Sequence, residues 1–317
     1  MRTLPDEHAF SAHKLIRCLS TLLLAVTFVF VVLRMSGDPV ERMLPDDASA
    51  SVVEAYREMW GLDRTIPEQY ALYISSVLRG DFGVSFRDNR PVTTIIAERL
   101  PATLTLGCLS FFVTLLVGIP GGIVAALNKN SLIDRVVMSA TILGHSLPNF
   151  FLGILLILLF SMVLRWLPSS GIGTWKHLVM PAITIGTAYA GTIARFTRAS
   201  MLEVLDQPFV RTARAKGIGA RAMILNHALP NAGIPVITVV GLRLGAIIGG
   251  ATVVETVFGY PGIGMLLVSS VAQRDLAVVQ GVVLLIAFTM VIFNLLVDLA
   301  YGWLDPRIAN AQEGNAL

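Results

Sequence analysis

Six apolar runs, each near the roughly 20 residues that cross the hydrocarbon layer of a bilayer, constrain this chain more than any other feature. They are Leu15–Leu33, Ala102–Leu127, Val136–Leu164, Leu178–Ala194, Ile234–Val254 and Val278–Leu299. The chain has 317 residues, 55% of them hydrophobic and 14% charged, with a mean hydropathy of +0.72. A single soluble core of this size cannot absorb that much apolar sequence, so the composition excludes the soluble globular class. The expected fold is an all-α integral membrane protein with six transmembrane helices. The first run is too long for the apolar region of a signal peptide and has no small-x-small cleavage site before Arg34, so it is expected to be a retained span.

Basic residues set the orientation. With the N-terminus inside, the cytoplasmic side receives Arg2, Lys14, Arg17, Lys129 and Arg135, together with a basic loop that follows the fourth run. The short outer loops keep Arg165, Lys176 and Arg274. Both termini therefore face the cytoplasm. The expected organisation is a cytoplasmic N-terminus over residues 1–14, a first span over 15–33, and an extracytoplasmic helical insertion over 34–101. A five-span core follows over 102–299, carrying the cytoplasmic loop 195–233, and a cytoplasmic tail closes the chain over 300–317. The net charge of +3 is small, and the basic residues cluster beside apolar runs, which points to membrane topology and away from nucleic acid.

The insertion is patterned. Val52, Val53, Tyr56, Met59 and Trp60 share one side of a helix that Gly61 would end. Pro67 suits a helix start, and Tyr70, Tyr73, Ile74 and Val77 repeat at helical spacing up to Gly80. In the core, Gly118-Ile119-Pro120-Gly121-Gly122 and Pro148 would bend or thin their helices; the glycines serve either close packing between helices or gating.

Catalytic signatures are missing. No G-x-x-x-x-G-K-[ST] phosphate loop occurs, so the chain holds no ATP in the usual way. The five histidines form no ligand pair, and no serine carries a G-x-S-x-G context. Cys18 and Cys108 sit inside apolar runs, as packed small hydrophobes do. Neither a cofactor nor a metal is expected in this chain. Few charges enter the spans: Arg243 is the deepest, and Asp298 lies near the inner end of the last run. One arginine without several carboxylates speaks against an ion-coupled secondary transporter, as does the lack of an inverted repeat. Arg243 either lines a translocation path or pairs with a carbonyl or a partner subunit.

Two stretches carry most of the functional information. From Arg195 to Pro230 the chain holds six basic residues (Arg195, Arg198, Arg211, Arg214, Lys216 and Arg221) against Glu203 and Asp206. Its part Phe209–Asn231, FVRTARAKGIGARAMILNHALPN, is expected to form two short amphipathic helices hinged at Gly217, the second stopped by Pro230. It is either a topological anchor or a docking surface. The second stretch, Gly249–Gly264, GGATVVETVFGYPGIG, turns at Tyr260-Pro261-Gly262 and places Glu255 where the backbone leaves the hydrocarbon. A plain re-entrant turn is the alternative there.

The spacing of Arg211-Thr212-Ala213, Gly217 and Leu229-Pro230 resembles the "EAA" loop of ABC-importer permeases, with Arg211 in place of the glutamate, Thr212 of the first alanine and His227 of the isoleucine. The form R-T-A-R-A-K-G resembles the dipeptide, oligopeptide and nickel branch. GDPV (Gly37–Val40), GLDRTIPEQY (Gly61–Tyr70), LRGDFGVS (Leu78–Ser85), ERLPATL (Glu98–Leu104) and LVDLAYGWLDPRI (Leu296–Ile308) are similar to the same branch. The resemblance implies a type I ABC-importer transmembrane fold in the bacterial cytoplasmic membrane. It implies a coupling helix over Arg211, Thr212, Ala213, Lys216 and Gly217, with Leu229 and Pro230 completing the motif, seated in a groove of an ATPase. It implies an outer gate near Glu255, Pro261 and Gly262, and with Arg243 these are the candidate path residues.

The implied partners are a homologous second permease, two ATP-binding subunits that use the ATP, an extracytoplasmic solute-binding protein and the lipid bilayer. The implied cargo is a dipeptide or short oligopeptide. Nickel or a metal chelate is the alternative, because Trp166–Ala182, WLPSSGIGTWKHLVMPA, also resembles nickel permeases.

Overall fold

The computed structural model describes residues 6–35, 40, 49–59 and 61–304. Side chains are described within 16–241 and 251–296 other than at 33, 56, 59, 145, 234 and 238. Regular structure among the described residues is helical, with one isolated antiparallel bridge between Val84 and Pro91. Two compact units emerge, one from Met1–Pro101 with Leu266–Ile292 and one from Ala102–Met265 with Phe293–Leu317.

The first unit contains α1 (Asp6–Met35), α2 (Ala50–Met59) and α3 (Ile66–Leu78). Helix α2 ends at Gly61, as its position suggests: Gly61 has φ 62°, and the Leu62 N–H reaches back to the Arg57 carbonyl at 2.8 Å. The α2 residues Tyr56 and Met59 have side chains outside those described, and Trp60 lies outside the described residues altogether. Helix α3 starts where Pro67 predicts. The Glu68 carboxylate accepts the Thr65 N–H at 3.0 Å and the Thr65 hydroxyl at 2.9 Å, which holds the first turn. Tyr70, Tyr73, Ile74 and Val77 are all partly buried, so the expected face does turn inward. It meets α1, where Phe30 packs edge-on to Tyr70 and stacks on Tyr73, with centroids 5.2 and 5.5 Å apart. Thr27 shares a 2.7 Å hydrogen bond with the Tyr70 hydroxyl.

The loop after α3 is tied to the start of α12 (Leu276–Leu304), because the buried Ser85 hydroxyl donates to Asp275 at 2.5 Å. Asp275 in turn accepts the Val278 N–H at 3.3 Å, an ordinary helix cap. Helices α4 (Val92–Leu127) and α12 each contribute residues to both units.

In the second unit α7 (Lys176–Leu205) is the central element, with fourteen buried residues from Met180 to Met201. Helix α4 continues through Gly118–Gly122. Its glycines serve close approach: a Cβ at Gly122 would lie 2.5 Å from the Ala194 carbonyl oxygen, and one at Gly118 2.9 Å from that of Ala190. Of the two roles left open for these glycines, the geometry supports packing of α4 against α7.

The third apolar run is two helices, α5 (Leu132–Ser146) and α6 (Asn149–Leu156), the latter continuing as a π-helical turn to Val163. They meet at 103° around Leu147 and Pro148. A bend was expected at Pro148, but the chain breaks there. The ring disfavours helical backbone in the residue before it, and Leu147 accordingly has ψ 128°.

By length and composition Val92–Leu127, Lys176–Leu205 and Leu276–Leu296 can each cross a membrane, and two bent pairs, 132–163 and 220–241, raise the number to five. The first apolar run is represented by Ile16–Val32, a shorter apolar helix among the described residues.

Candidate functional site

The basic stretch begins inside α7, which carries Arg195 and Arg198 and ends at Leu205. Arg198 is not a free surface charge. Its guanidinium grips the Asp134 carboxylate with two 2.7 Å hydrogen bonds, and Asp134 also accepts the Asn130 N–H at 2.9 Å. This bidentate pair ties the start of α5 to α7. The Ser131-x-x-Asp134 pattern that begins α5 is legible in the sequence, but the partner 64 positions away is not.

Helix α8 (Pro208–Ala215) follows. Its hydrophobic positions Val210 and Ala213 are buried, while Arg211, Thr212, Arg214 and Lys216 point outward. Gly217 stops it, with φ 77° and no atom within 4 Å of where a Cβ would stand. The Ile218 N–H bonds to the Ala213 carbonyl at 3.2 Å and the Gly217 N–H to the Arg214 carbonyl at 3.0 Å. That double closure is the Schellman motif, and its left-handed residue is the reason for the glycine.

The second half of the stretch corrects the sequence expectation. Helix α9 (Ala220–Met223) passes through a π-helical turn, Ile224–Ala228, straight into α10 (Leu229–Val257). Pro230 therefore does not stop the second helix; it sits in the first turn of α10. The carbonyl with which its ring would clash, that of Asn226, lies in the wider π turn, where the helix has room for it. Met223, Ala228 and Ala232 from this half join Val210 and Ala213 of α8, Met201 of α7 and Ala126 of α4 in one buried cluster, with Ile218 and Leu229 packed against it. The stretch thus has an apolar underside and an exposed outer face with Phe209, Arg211, Arg214, Lys216, Arg221 and Leu225.

The second candidate group is built at the end of α10. Glu255 is fully buried. Its carboxylate accepts the Thr103 hydroxyl at 2.6 Å, the Gly264 N–H at 2.7 Å and the Met265 N–H at 3.0 Å. The Thr103 oxygen meanwhile accepts the Ile263 N–H at 2.7 Å. Three amides at the start of α11 (Ile263–Ala272) are thereby satisfied by two side chains. Gly262 has no room for a side chain, since a Cβ would stand 2.2 Å from the Glu255 carboxylate. Pro261 is half-buried in the turn. The structure brings Glu255, Pro261 and Gly262 together and adds Thr103, which the sequence reading missed. Arg243 lies on α10 with its side chain outside the described residues, as does that of Asp298. Cys18 and Cys108 are both unpaired thiols.

Residues 118–310 match the family described as binding-protein-dependent transport system inner membrane component, and residues 9–107 match the N-terminal part of such components. The chain belongs to that family. It is accordingly a multi-pass membrane permease of an ABC importer and not an enzyme, with the ATPase a separate subunit.

The permease is 42% identical to the glutathione transport system permease protein GsiC of Escherichia coli strain K12, over 93% of its own length and 97% of the relative's. It matches the protein of the same name from Pectobacterium atrosepticum to the same extent, 42% over 93% and 97%. The permease also shares its fold with a solved structure of the MetNI methionine ABC transporter in inward-facing conformations. That match has a TM-score of 0.54 and 19% identity, and it covers 68% of this chain and 95% of that one.

Proposed function

We propose that this permease moves short peptides inward across the bacterial cytoplasmic membrane. Its similarity along most of its length to permeases named for glutathione, itself a short peptide, supports the cargo reading. The working assembly is a second, homologous permease, two ATP-binding subunits and an extracytoplasmic solute-binding protein. Six spans place both termini in the cytoplasm and residues 34–101 outside. ATP-driven closure of the ATPase pair acts on α8 and the turn that follows it, through Arg211, Thr212, Ala213, Lys216 and Gly217, with Leu229 and Pro230 anchoring the far side. Glu255, Pro261 and Gly262 hold the outer turn and, with Arg243, make up the candidate residues of the path or outer gate. ATP and cargo each favour one of two packings of the bundle.

Uptake by a strain lacking this permease, complemented or not, tests the cargo. Labelled glutathione and dipeptides should enter only in the complemented strain. Complementation of nickel uptake with no peptide uptake would move the cargo to the metal-chelate alternative.

A further inference from the structure

The loop that joins the π-helical turn after α6 to the start of α7 has two sides. On the inner side Leu167 packs against the buried cluster that holds Phe258 and Tyr260, and the Gly171 N–H donates to the Phe258 carbonyl at 3.0 Å. The loop is thereby tied to the turn that Glu255 organises. The outer side carries Arg165, Trp166, Ile172, Trp175 and Lys176, all exposed. The indoles of Trp166 and Trp175 are 64% and 70% exposed, a large apolar area to leave bare. Arg165 and Lys176 form no ion pair with a described residue.

An exposed apolar stripe leads into this loop. Phe151, Leu155, Leu159 and Val163 recur at every fourth position along α6 and its π turn, all exposed, and Trp166 comes directly after them. On a membrane permease such a stripe suits contact with acyl chains, and it ends where Arg165 and Trp166 begin. An indole has an apolar body and a single N–H donor, so it settles where hydrocarbon meets polar headgroups. Arginine and lysine lay their apolar stems along such a surface and carry the charge outward to phosphates. A protein seated on the loop alone would leave the stripe uncovered, whereas a bilayer covers both at once.

We infer that this loop, with the first residue of α7, docks in the headgroup layer of the bilayer. Trp166 and Trp175 lie at the acyl boundary, and Arg165 and Lys176 reach lipid phosphates. Under the proposed topology the leaflet is the outer one. Through Leu167 and Gly171 the same contact steadies the turn that Glu255 organises.

The test uses the full chain in phospholipid nanodiscs, with three of its four tryptophans replaced by Phe so that Trp166 or Trp175 alone remains. Fluorescence is quenched in turn by lipid brominated high on the acyl chain, by lipid brominated near the chain end, and by aqueous iodide. For each tryptophan the first quencher should act at least about twofold more strongly than the other two, as an indole at the interface requires. Dominant quenching by iodide would put the indole in water, and dominant quenching by the chain-end lipid would put it in hydrocarbon. Quenching by none would put it beneath protein. Any of the three overturns the inference. Should the tryptophan variants misfold, a nitroxide on Ile172→Cys, with Cys18 and Cys108 replaced, reads the same depth. Its collisions with oxygen and with a water-soluble nickel chelate decide between the same outcomes. These measurements read depth, and neither cargo nor side, so they stand apart from the import and topology proposals.

Discussion

Thr103 and Glu255, 152 positions apart in the chain, meet at 2.6 Å and together satisfy the amides at the start of α11. Each side chain is more than 95% buried. Removing Thr103 takes the acceptor from the Ile263 N–H and a donor from Glu255. Removing Glu255 takes the acceptor from the Thr103 hydroxyl and from the Gly264 and Met265 N–H groups. Thr103→Val and Glu255→Gln should each lower thermal stability by about 1–3 kcal/mol. The double variant should lose much less than the sum, because both changes break one network. Additive losses in thermal unfolding of the purified permease would contradict a shared network.

Gly122 predicts a sharper contrast. Gly122→Ala drives a methyl into the Ala194 carbonyl and should cost about 1–3 kcal/mol through overpacking. Gly121→Ala, one position along, meets nothing closer than 3.8 Å and should be near neutral. Equal melting temperatures for the two variants would refute the close-approach account.

At Gly217 the space is open and the backbone alone discriminates. Gly217→Val should cost about 1–2 kcal/mol of local strain and reorient α8 relative to its underside. ATP-driven uptake in reconstituted vesicles should fall while insertion into the membrane and capture by the binding protein continue. Arg211→Ala should do less, because a rim charge acts chiefly on association rate and salt dependence. Normal uptake by Gly217→Val would take the coupling role away from this loop.

The proposed topology is open to labelling. In a background with Cys18 and Cys108 replaced, a membrane-impermeant thiol reagent added outside intact cells should modify Ser49→Cys and spare Ala220→Cys. Both positions are exposed, so access and not burial decides the result. The opposite pattern would invert the topology.

Glu68 gives a pH dependence. The Thr65 backbone N–H, then the Thr65 hydroxyl, hold its carboxylate below the ordinary glutamate range. A carboxylate with a depressed folded pKa stabilises fully above its unfolded value, about 4.3. That contribution is lost as pH falls through the lower folded value. Hydrogen exchange at the α3 amides should therefore lose protection only under acid conditions, and Glu68→Ala should remove the dependence. Protection that changes near pH 7 would point to another group.

Local signals were the legible ones. Pro67, Gly61 and Gly80 mark helix ends in the insertion because turn chemistry depends on neighbours a few residues away, and α2 and α3 begin and end accordingly. The apolar runs gave the helices but not their ends: α7 continues to Leu205, beyond the expected Ala194, since a helix need not stop where its sequence turns polar. What escaped was long-range or depended on backbone detail. Nothing local to Thr103 or Arg198 announces Glu255 or Asp134. Pro230 reads as a stop until the π turn before it is seen, and Pro148 reads as a kink until the 103° corner is seen.

That corner has a consequence for where water must be. A helix cannot supply partners for its own first amides or last carbonyls, and at Leu147–Pro148 one helix ends as another begins, so both deficits fall within a few ångströms of each other. Hydrocarbon offers no hydrogen bonds to settle them. The corner must therefore face solvent, lipid headgroups or another protein surface, and any motion that turned it toward the acyl chains would be opposed by the solvation of its own backbone.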